Sequence, residues 1–570
     1  MRFERLDLPH PNTQRVAAVD LNRDRAADLV LSRRDVLLND RASPQGFRAI
    51  ASGLVQPGDD GVAIYVDLDG DGTPDAFSLR HLDLKKQEAE RAAGEPKPHA
   101  WWQRGKGDGT FDAPLPIDGV PPASACAIAA GDVDRDGRTD LLIGNWYTRY
   151  GESVEAFPAH LLMNRAADAS TPGGVRFERE PLPEEGVPFD EERDAGPRPI
   201  YGALIADLLP DGASERPQLV LLAYGRRWNR VYAWRDGRWS DVAPALGLDG
   251  DAERSGVYPS WAGRPNEKPF RSNGNTFDGA VGDVDGDGRM DMLIVEITHA
   301  WAGPSSDRSR LLFAEPSDGW PGVRFVERRG WGLDRIPPAP SDPGTPAERW
   351  NQGDLFGALA DLDLDGDLDV LLGSGDYPDP PPFDERLRVF ERIDGDPPLR
   401  DETLAANLLH RGCAEFALLD ADRDGRVDLL AGQSFHRFSK EMIEEEGGTP
   451  RLSLYLNRTG KLDAPSATLR FEGRAEDGVA REGFGAVVRA TIGDRTIVRQ
   501  LGGPGGHSGK QSDATLVIGL GGAASIAHLE VRWPNATRSR SEVRDLKPGR
   551  YVLRSDGRLL PELPEPPATH

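Results

Sequence analysis

The chain has 570 residues, 38% of them hydrophobic and 29% charged. A single core rarely grows past about 250–300 residues, so this length calls for several domains or a repeat array, and the polarity excludes a bundle of membrane helices. Asp and Glu outnumber Lys and Arg by 94 to 69, and the formal charge of −25 repels a phosphate backbone, which excludes nucleic acid as a partner.

With 65 Gly and 47 Pro the chain is rich in turns, as chains built from short strands are. The two cysteines, Cys126 and Cys413, exclude a disulfide framework and a Cys-based zinc site. The opening Met1-Arg-Phe-Glu-Arg-Leu shows no signal peptide, and no apolar run reaches the roughly 18 residues of a membrane-spanning helix.

One acidic pattern recurs along the chain: Asp-x-Asp-x-Asp-Gly-x-x-Asp, followed by a short apolar strand. The first copy, Asp20, Asn22, Asp24 and Asp28, has Arg25 where the turn glycine belongs. Full copies follow at Asp67, Asp69, Asp71 and Asp75, and at Asp132, Asp134, Asp136 and Asp140. The fourth is degenerate, with Asp207 and Asp211 but Leu209 between them. Full copies return at Asp283, Asp285, Asp287 and Asp291, at Asp361, Asp363, Asp365 and Asp369, and at Asp420, Asp422, Asp424 and Asp428. Strands such as Asp28-Leu-Val-Leu and Asp140-Leu-Leu-Ile come next, then a hairpin, with outer strands expected at Phe47, Thr110, Arg176, Arg238, Arg324 and Leu399.

Repeated four-stranded units whose apolar faces cannot be buried alone predict an all-β fold, a seven-bladed β-propeller over 1–462. The seventh unit lacks an outer strand, and Arg2-Phe3-Glu4-Arg5 repeats Arg176-Phe177-Glu178-Arg179, so the N-terminal strand is expected to close blade seven. Period-two alternation broken by glycines predicts a small antiparallel β-domain over 463–556, and 557–570 reads as a Pro-rich, extended or disordered tail.

Carboxylates at positions 1, 3, 5 and 9 of a tight loop, with a carbonyl at 7, make an all-oxygen cage for a hard cation, Ca²⁺ before Mg²⁺. About five Ca²⁺ sites are expected from the five full copies, with the Asp20 loop as a sixth candidate and the fourth loop empty. An EF-hand is excluded, since its twelfth-position Glu is replaced by Ser78, Ile143 or Ile294 inside an apolar strand.

These loops resemble the FG-GAP/VCBS repeats of the integrin alpha-subunit propeller and of many bacterial extracellular proteins. Gly483-Phe-Gly485, Arg499-Gln-Leu-Gly-Gly, Gln511-Ser512, Val517-Ile-Gly519-Leu-Gly521 and Leu529-Glu-Val-Arg-Trp533-Pro534 resemble the ASPIC/UnbV domain. Together the two parts are similar to the cartilage acidic protein family and its bacterial relatives, which implies an extracellular or periplasmic, envelope-associated protein. The segment Pro504-Gly-Gly-His507-Ser-Gly-Lys510 departs from that pattern in its glycine content.

If the loops share one face, the residues just beyond each following strand gather on the other. Asn145, Trp146, Tyr147, Tyr224, Arg226, Trp228, Trp301, Asn351, Asp354 and Tyr377 suit recognition of a carbohydrate, peptide or protein by stacking and directed hydrogen bonds. The competing class is an enzyme, a lyase, hydrolase or cyclase at the propeller mouth or domain junction, with Glu296, His299, Asp376 and His436 as catalytic candidates. No established catalytic motif accompanies them, which favours a binding module. A purely structural adhesion repeat, its mouth plugged by Trp and Tyr, is the third reading.

Overall fold

The computed structural model describes residues 1–43, 45–58, 61–94, 97–166, 174–190, 193–250, 257–258, 260, 273–299, 306–333, 335, 351–375, 385–460 and 465–562. The chain is all-β, with three short α-helices, Leu84–Ala93, Ala243–Leu246 and Lys440–Glu445, and a 3-10 turn, Ala475–Asp477, among the described residues. None of them is long and apolar enough to cross a membrane.

Strands pair antiparallel in successive ladders of four. Ladder one is Val16–Val19, Asp28–Leu31, Asp35–Asn39 and Phe47–Ile50; ladder two is Val62–Val66, Asp75–Leu79, Ala100–Gln103 and Leu115–Pro116. Ladder three is Ala125–Gly131, Asp140–Asn145, His160–Arg165 and Arg176–Glu180. Ladder four is Ile200–Ala206, Gln218–Ala223, Arg230–Arg235 and Arg238–Asp241. Ladder five is Thr276–Gly282, Asp291–Thr298, Arg310–Pro316 and Val323–Glu327; ladder six is Gln352–Ala360, Asp369–Ser374, Leu387–Arg392 and Leu399–Asp401. Ladder seven is Cys413–Leu419, Asp428–Gln433 and Leu452–Asn457, completed by Phe3–Leu8, with Phe3 opposite Asn457.

The first two strands of most ladders are buried on both faces, which is why they read as apolar runs rather than alternating ones. Small residues dominate the tightest of them, Ala125–Gly131, where a neighbouring ladder packs close. The apolar clusters lie between consecutive ladders: Ala129, Leu142, Leu161, Leu219 and Tyr232 join three to four. Leu8, Leu430 and Leu454 meet Val16, Ala18 and Leu29, joining seven to one.

Ladder two differs from expectation. Its outer strand is Leu115–Pro116, not a strand at Thr110, because Lys106 N–H donates to Thr110 O at 3.0 Å and closes a tight loop, while Phe111 N–H donates to Ser52 O of the preceding segment.

The C-terminal residues form two four-stranded sheets. One holds Thr515–Gly519, Ser466–Glu472, Gly549–Arg554 and Leu559–Pro561; the other holds Arg495–Gln500, Val487–Ile492, Ile526–Arg532 and Arg540–Leu546. Leu469, Phe471, Val488, Leu529 and Val531 fill the space around Trp533, whose Nε1 donates to Ser541 Oγ at 2.8 Å. The sheets are not wholly antiparallel, since Ser466–Glu472 and Gly549–Arg554 run parallel. The tail begins later than expected as well: Leu559–Pro561 pairs with Tyr551–Leu553, and buried Glu562 accepts from Arg423 Nη2 at 2.6 Å. Residues 563–570 lie outside the described residues.

A loop of the C-terminal residues, 504–513, reaches the first strand of each of the seven ladders. Ala18 N–H of ladder one donates to Gln511 O at 3.1 Å, and Gln511 Nε2 donates to Tyr65 O of ladder two at 2.6 Å. His507 pairs with Ala127 of ladder three and Gly202 of ladder four. Lys510 Nζ lies 2.5 Å from Asp278 Oδ2 of ladder five and donates to Gly357 O of ladder six. Leu418 N–H of ladder seven donates to Ser512 Oγ at 3.0 Å. Every ladder is thus held by one short segment.

Candidate metal centres and the domain interface

The acidic loops share one hydrogen-bond pattern. The ninth-position carboxylate accepts from the second residue of its loop and from the third strand of its ladder. Val133 N–H donates to Asp140 Oδ2 and Asn164 N–H to Oδ1, both at 2.8 Å. Asp28, Asp75, Asp291, Asp369 and Asp428 each accept the corresponding pair within 2.7–3.1 Å. In the degenerate fourth loop Gln218 Oε1 takes that place, accepting from Leu208 N–H at 2.7 Å and Leu209 N–H at 3.0 Å. The ninth Asp, expected as a metal ligand, also ties its loop to the neighbouring strands. The first-position carboxylate accepts from the sixth residue, as Asp67 does from Gly72 N–H at 2.8 Å and Asp361 from Gly366 N–H at 3.1 Å.

Among the described residues five groups of carboxylates converge with ligand atoms within 4.8 Å of one another: Asp67, Asp69 and Asp71; Asp132, Asp134 and Asp136; Asp283, Asp285 and Asp291; Asp361, Asp363 and Asp365; and Asp420, Asp422 and Asp428. The converging groups draw on the first, third and fifth positions in three loops and on the first, third and ninth in the other two. Buried oxygens without a hydrogen-bond partner fit a cation: Asp283, Asp361 and Asp420 each keep Oδ1 in this state, as do Asp134 and Asp422. Burial, with neighbouring carboxylates adding to it, pushes Asp132 up to about 8, Asp361 to about 7 and Asp420 to about 6. A divalent ion among these oxygens would reverse that shift.

Arginines neutralise the outer oxygens. Arg165 Nη1 lies 2.6 Å from Asp134 Oδ2, Arg328 Nη1 2.6 Å from Asp285 Oδ2 and Arg458 Nη1 2.6 Å from Asp422 Oδ2. The fourth loop is held by guanidinium groups: Arg135, Arg532 and Arg538 lie 3.3, 3.3 and 2.9 Å from Asp207. The first loop is intermediate, with Asn22 Nδ2 donating to Asp24 Oδ2 at 2.8 Å and Arg470 3.9 Å from Asp20, whose Oδ1 is buried without a partner.

These contacts set the C-terminal sheets against the acidic loops. Arg470 and Arg550 reach the first-position carboxylates Asp20 and Asp420. Arg532 and Arg538 reach Asp207, Asp67 N–H donates to Glu482 Oε1 at 2.6 Å, and Gly519 N–H donates to Asp361 Oδ2 at 2.7 Å. Cavities of about 260 and 240 Å³ remain between this domain and the ladders, on either side of the 504–513 loop.

The residues expected on the other face are mostly packed. Asn145 is buried and donates Nδ2 to Pro158 O at 2.6 Å. Trp146 and Tyr147 are buried in an aromatic cluster in which the Trp146 ring lies 4.0 Å from Tyr201 and 4.8 Å from half-buried Tyr224. Tyr201 in turn meets Phe277 at 4.2 Å and His507 of the inserted loop at 4.9 Å. Buried Arg226 stacks 4.8 Å over Tyr258, and the carbonyl of half-buried Trp228 accepts from Arg198 Nη1 at 2.7 Å.

Asp354 is fully buried, accepting from Ser309 Oγ at 2.6 Å, from Arg335 Nη2 at 2.5 Å and from Ser374 Oγ, while Asn351 is half-buried. Of the catalytic candidates, Glu296 is buried and accepts from Thr276 Oγ1 at 2.8 Å, and His299 is half-buried immediately after the strand that carries Glu296. His436 is exposed in the turn that follows Asp428–Gln433, so the described candidates are divided between two ladders. Trp301, Asp376 and Tyr377 lie outside the described residues.

Two elements escaped the sequence reading: the inserted loop and the arginines of the C-terminal domain. The glycine content of 504–509 was the available signal, since close backbone approach is what glycine permits.

Among curated proteins none matches the chain. Solved structures similar to it, each at 10% identity, include a candidate phosphatase of Bacteroides thetaiotaomicron VPI-5482 (TM-score 0.35, covering 78% of this chain and 79% of that one). The Dos1 propeller (0.29, 81% and 96%) and the V. cholerae biofilm matrix protein Bap1 (0.22, 92% and 84%) are others. Likeness at this level carries no argument about activity. Family models do match: residues 67–143 match that of an FG-GAP-like repeat, and residues 476–557 match that of ASPIC and UnbV. The chain therefore carries an FG-GAP-like repeat and, behind it, an ASPIC/UnbV domain.

Proposed function

We propose that the chain is a calcium-loaded seven-bladed β-propeller, 1–462, with its ASPIC/UnbV-like domain, 463–556, seated on the loop face. In this reading it works as an extracellular or envelope recognition module. The observation that carries the calcium assignment is the convergence of buried carboxylate oxygens, several without a partner, in five loops. Closure of the ring is supported by the apolar clusters that pass from ladder to ladder and from seven back to one.

Because the second domain covers the loop face, a carbohydrate, peptide or protein ligand would approach from the opposite one, where Tyr224 and Trp228 are half-buried and Tyr150 is 62% exposed. Calorimetric titration of the chelated full chain with Ca²⁺ should show uptake of about five ions. No uptake at millimolar Ca²⁺ would remove the calcium assignment. A glycan and peptide array probed with the full chain tests the ligand face, and Tyr150→Ala with Tyr224→Ala should abolish whatever binding it finds.

A further inference from the structure

The motif Val517-Ile-Gly519-Leu-Gly521 has so far no role beyond its place in a strand end. Its backbone grips the sixth acidic loop at two points. Gly519 N–H donates to Asp361 Oδ2 at 2.7 Å, and Gly521 N–H donates to Leu364 O at 2.9 Å. Arg499 Nη2 adds a bond to Gly366 O at 2.6 Å, and Arg495 Nη2 one to Asp365 O at 3.0 Å. Asp361 is 2% exposed, and its Oδ2 is taken by Gly519 and Gly366, so the carboxylate is fixed with the unpartnered Oδ1 left toward Asp363 and Asp365.

The third loop is built otherwise. Both Asp132 oxygens accept from its own backbone, Oδ1 from Asp136 N–H at 3.0 Å and Oδ2 from Gly137 N–H at 2.8 Å. Its first carboxylate is oriented from within.

We propose that the Gly519–Gly521 turn is a positioning element of the sixth metal site, which makes that site one shared between the two domains. The proposal rests on the calcium reading above. An outer-shell donor that orients a ligating carboxylate is worth about 10- to 100-fold in metal affinity. By linkage, an ion in the sixth loop must tighten the seating of the turn by the same factor that the turn tightens the ion. Gly519 also offers a selective test, because a methyl group there would overlap the Leu364 backbone and push the turn off the loop.

Ca²⁺ titration of the chelated full chain is compared between wild type, Gly519→Ala, Asp361→Asn and the double variant, with Asp132→Asn as the control in the third loop. The expected result is that Gly519→Ala weakens one site at least about tenfold and leaves the others within about twofold. Asp361→Asn should weaken the same site, and the double variant should add little, since both changes act on one unit. Wild-type uptake with an unchanged Gly519→Ala isotherm overturns the proposal alone, as does equal weakening of every site. Absence of uptake by the wild type overturns the calcium reading itself. Should Gly519→Ala not fold, amide exchange of the wild type decides: Ca²⁺ should slow exchange at Gly519 and Gly521, and unchanged rates overturn the proposal.

Discussion

Lys510 and Asp278 meet, Nζ to Oδ2 at 2.5 Å, one from the inserted 504–513 segment and one from ladder five. Asp278 is fully buried and also accepts from Gly357 N–H at 2.8 Å and His507 N–H at 3.2 Å, so this one carboxylate joins ladder six, ladder five and the inserted loop. Removing one member of a buried pair strands the other. Asp278→Ala should destabilise the chain by about 3–5 kcal/mol, and Lys510→Met by less, because two backbone donors still serve the carboxylate. Urea unfolding measures both, and a loss under about 1 kcal/mol for Asp278→Ala would show that the loop is not pinned there.

The ninth-position aspartates separate clip from cage. Asp140→Ala leaves the Val133 and Asn164 N–H groups without acceptors, each costing about 1–3 kcal/mol, while Asp140→Asn keeps one acceptor and should cost about half. Asp140→Asn, which keeps a backbone acceptor, should disturb calcium uptake by the third loop less than Asp428→Asn disturbs that of the seventh. Asp428→Asn should weaken uptake, because Asp428 is within its own triad. Equal effects of Asp140→Asn and Asp428→Asn on uptake would refute the distinction.

Chelation should lower the melting temperature of the full chain, and restored Ca²⁺ should bring it back, in proportion to RT ln(1 + [Ca²⁺]/Kd) summed over sites. Mg²⁺ should restore it less, as it demands a tighter octahedron and gives up water reluctantly. An unchanged melting curve after chelation would mean that the arginines at Asp134, Asp285 and Asp422 suffice to neutralise the loops.

Acid should destabilise the fold through its buried histidines. Burial lowers His507 to about 3 and His410 to about 4, against an ordinary 6.5. Both are neutral when folded, so below pH 6.5 the unfolded chain takes up protons that the folded chain refuses. Their contribution is complete above pH 6.5 and is lost progressively as pH falls toward about 4. His410→Gln should flatten that decline by on the order of 2–3 kcal/mol between pH 6.5 and 4. A stability profile identical to wild type over this window would rule the histidine out.

The acidic loops and the strands behind them could be read from the chain because each is a local pattern: carboxylates at fixed spacing, then a run such as Asp140-Leu-Leu-Ile. The pairing of Phe3–Leu8 with the seventh ladder was readable too, through the repeated Arg-Phe-Glu-Arg. What spacing hid was direction. Asp140 and Asp136 look alike in the loop, yet one turns its oxygens to backbone N–H groups of the next strand and the other toward its fellow carboxylates. The inserted loop was hidden for another reason, since Gln511 and Tyr65 bond across 446 positions and nothing local marks either. Trp146 looked like a stacking platform because aromatic content alone cannot say whether a ring meets solvent or Tyr201.

Phe3–Leu8 is made long before its partner and can pair only once Leu452–Asn457 has been synthesised. During translation the opening strand must therefore wait unpaired while six complete ladders emerge, with buried Phe3 and Leu8 exposed and an open edge available to neighbours. Completion of the seventh ladder is for that reason a late step, and ribosome-stalled chains ending before residue 452 should engage chaperones or aggregate where chains ending after 457 do not.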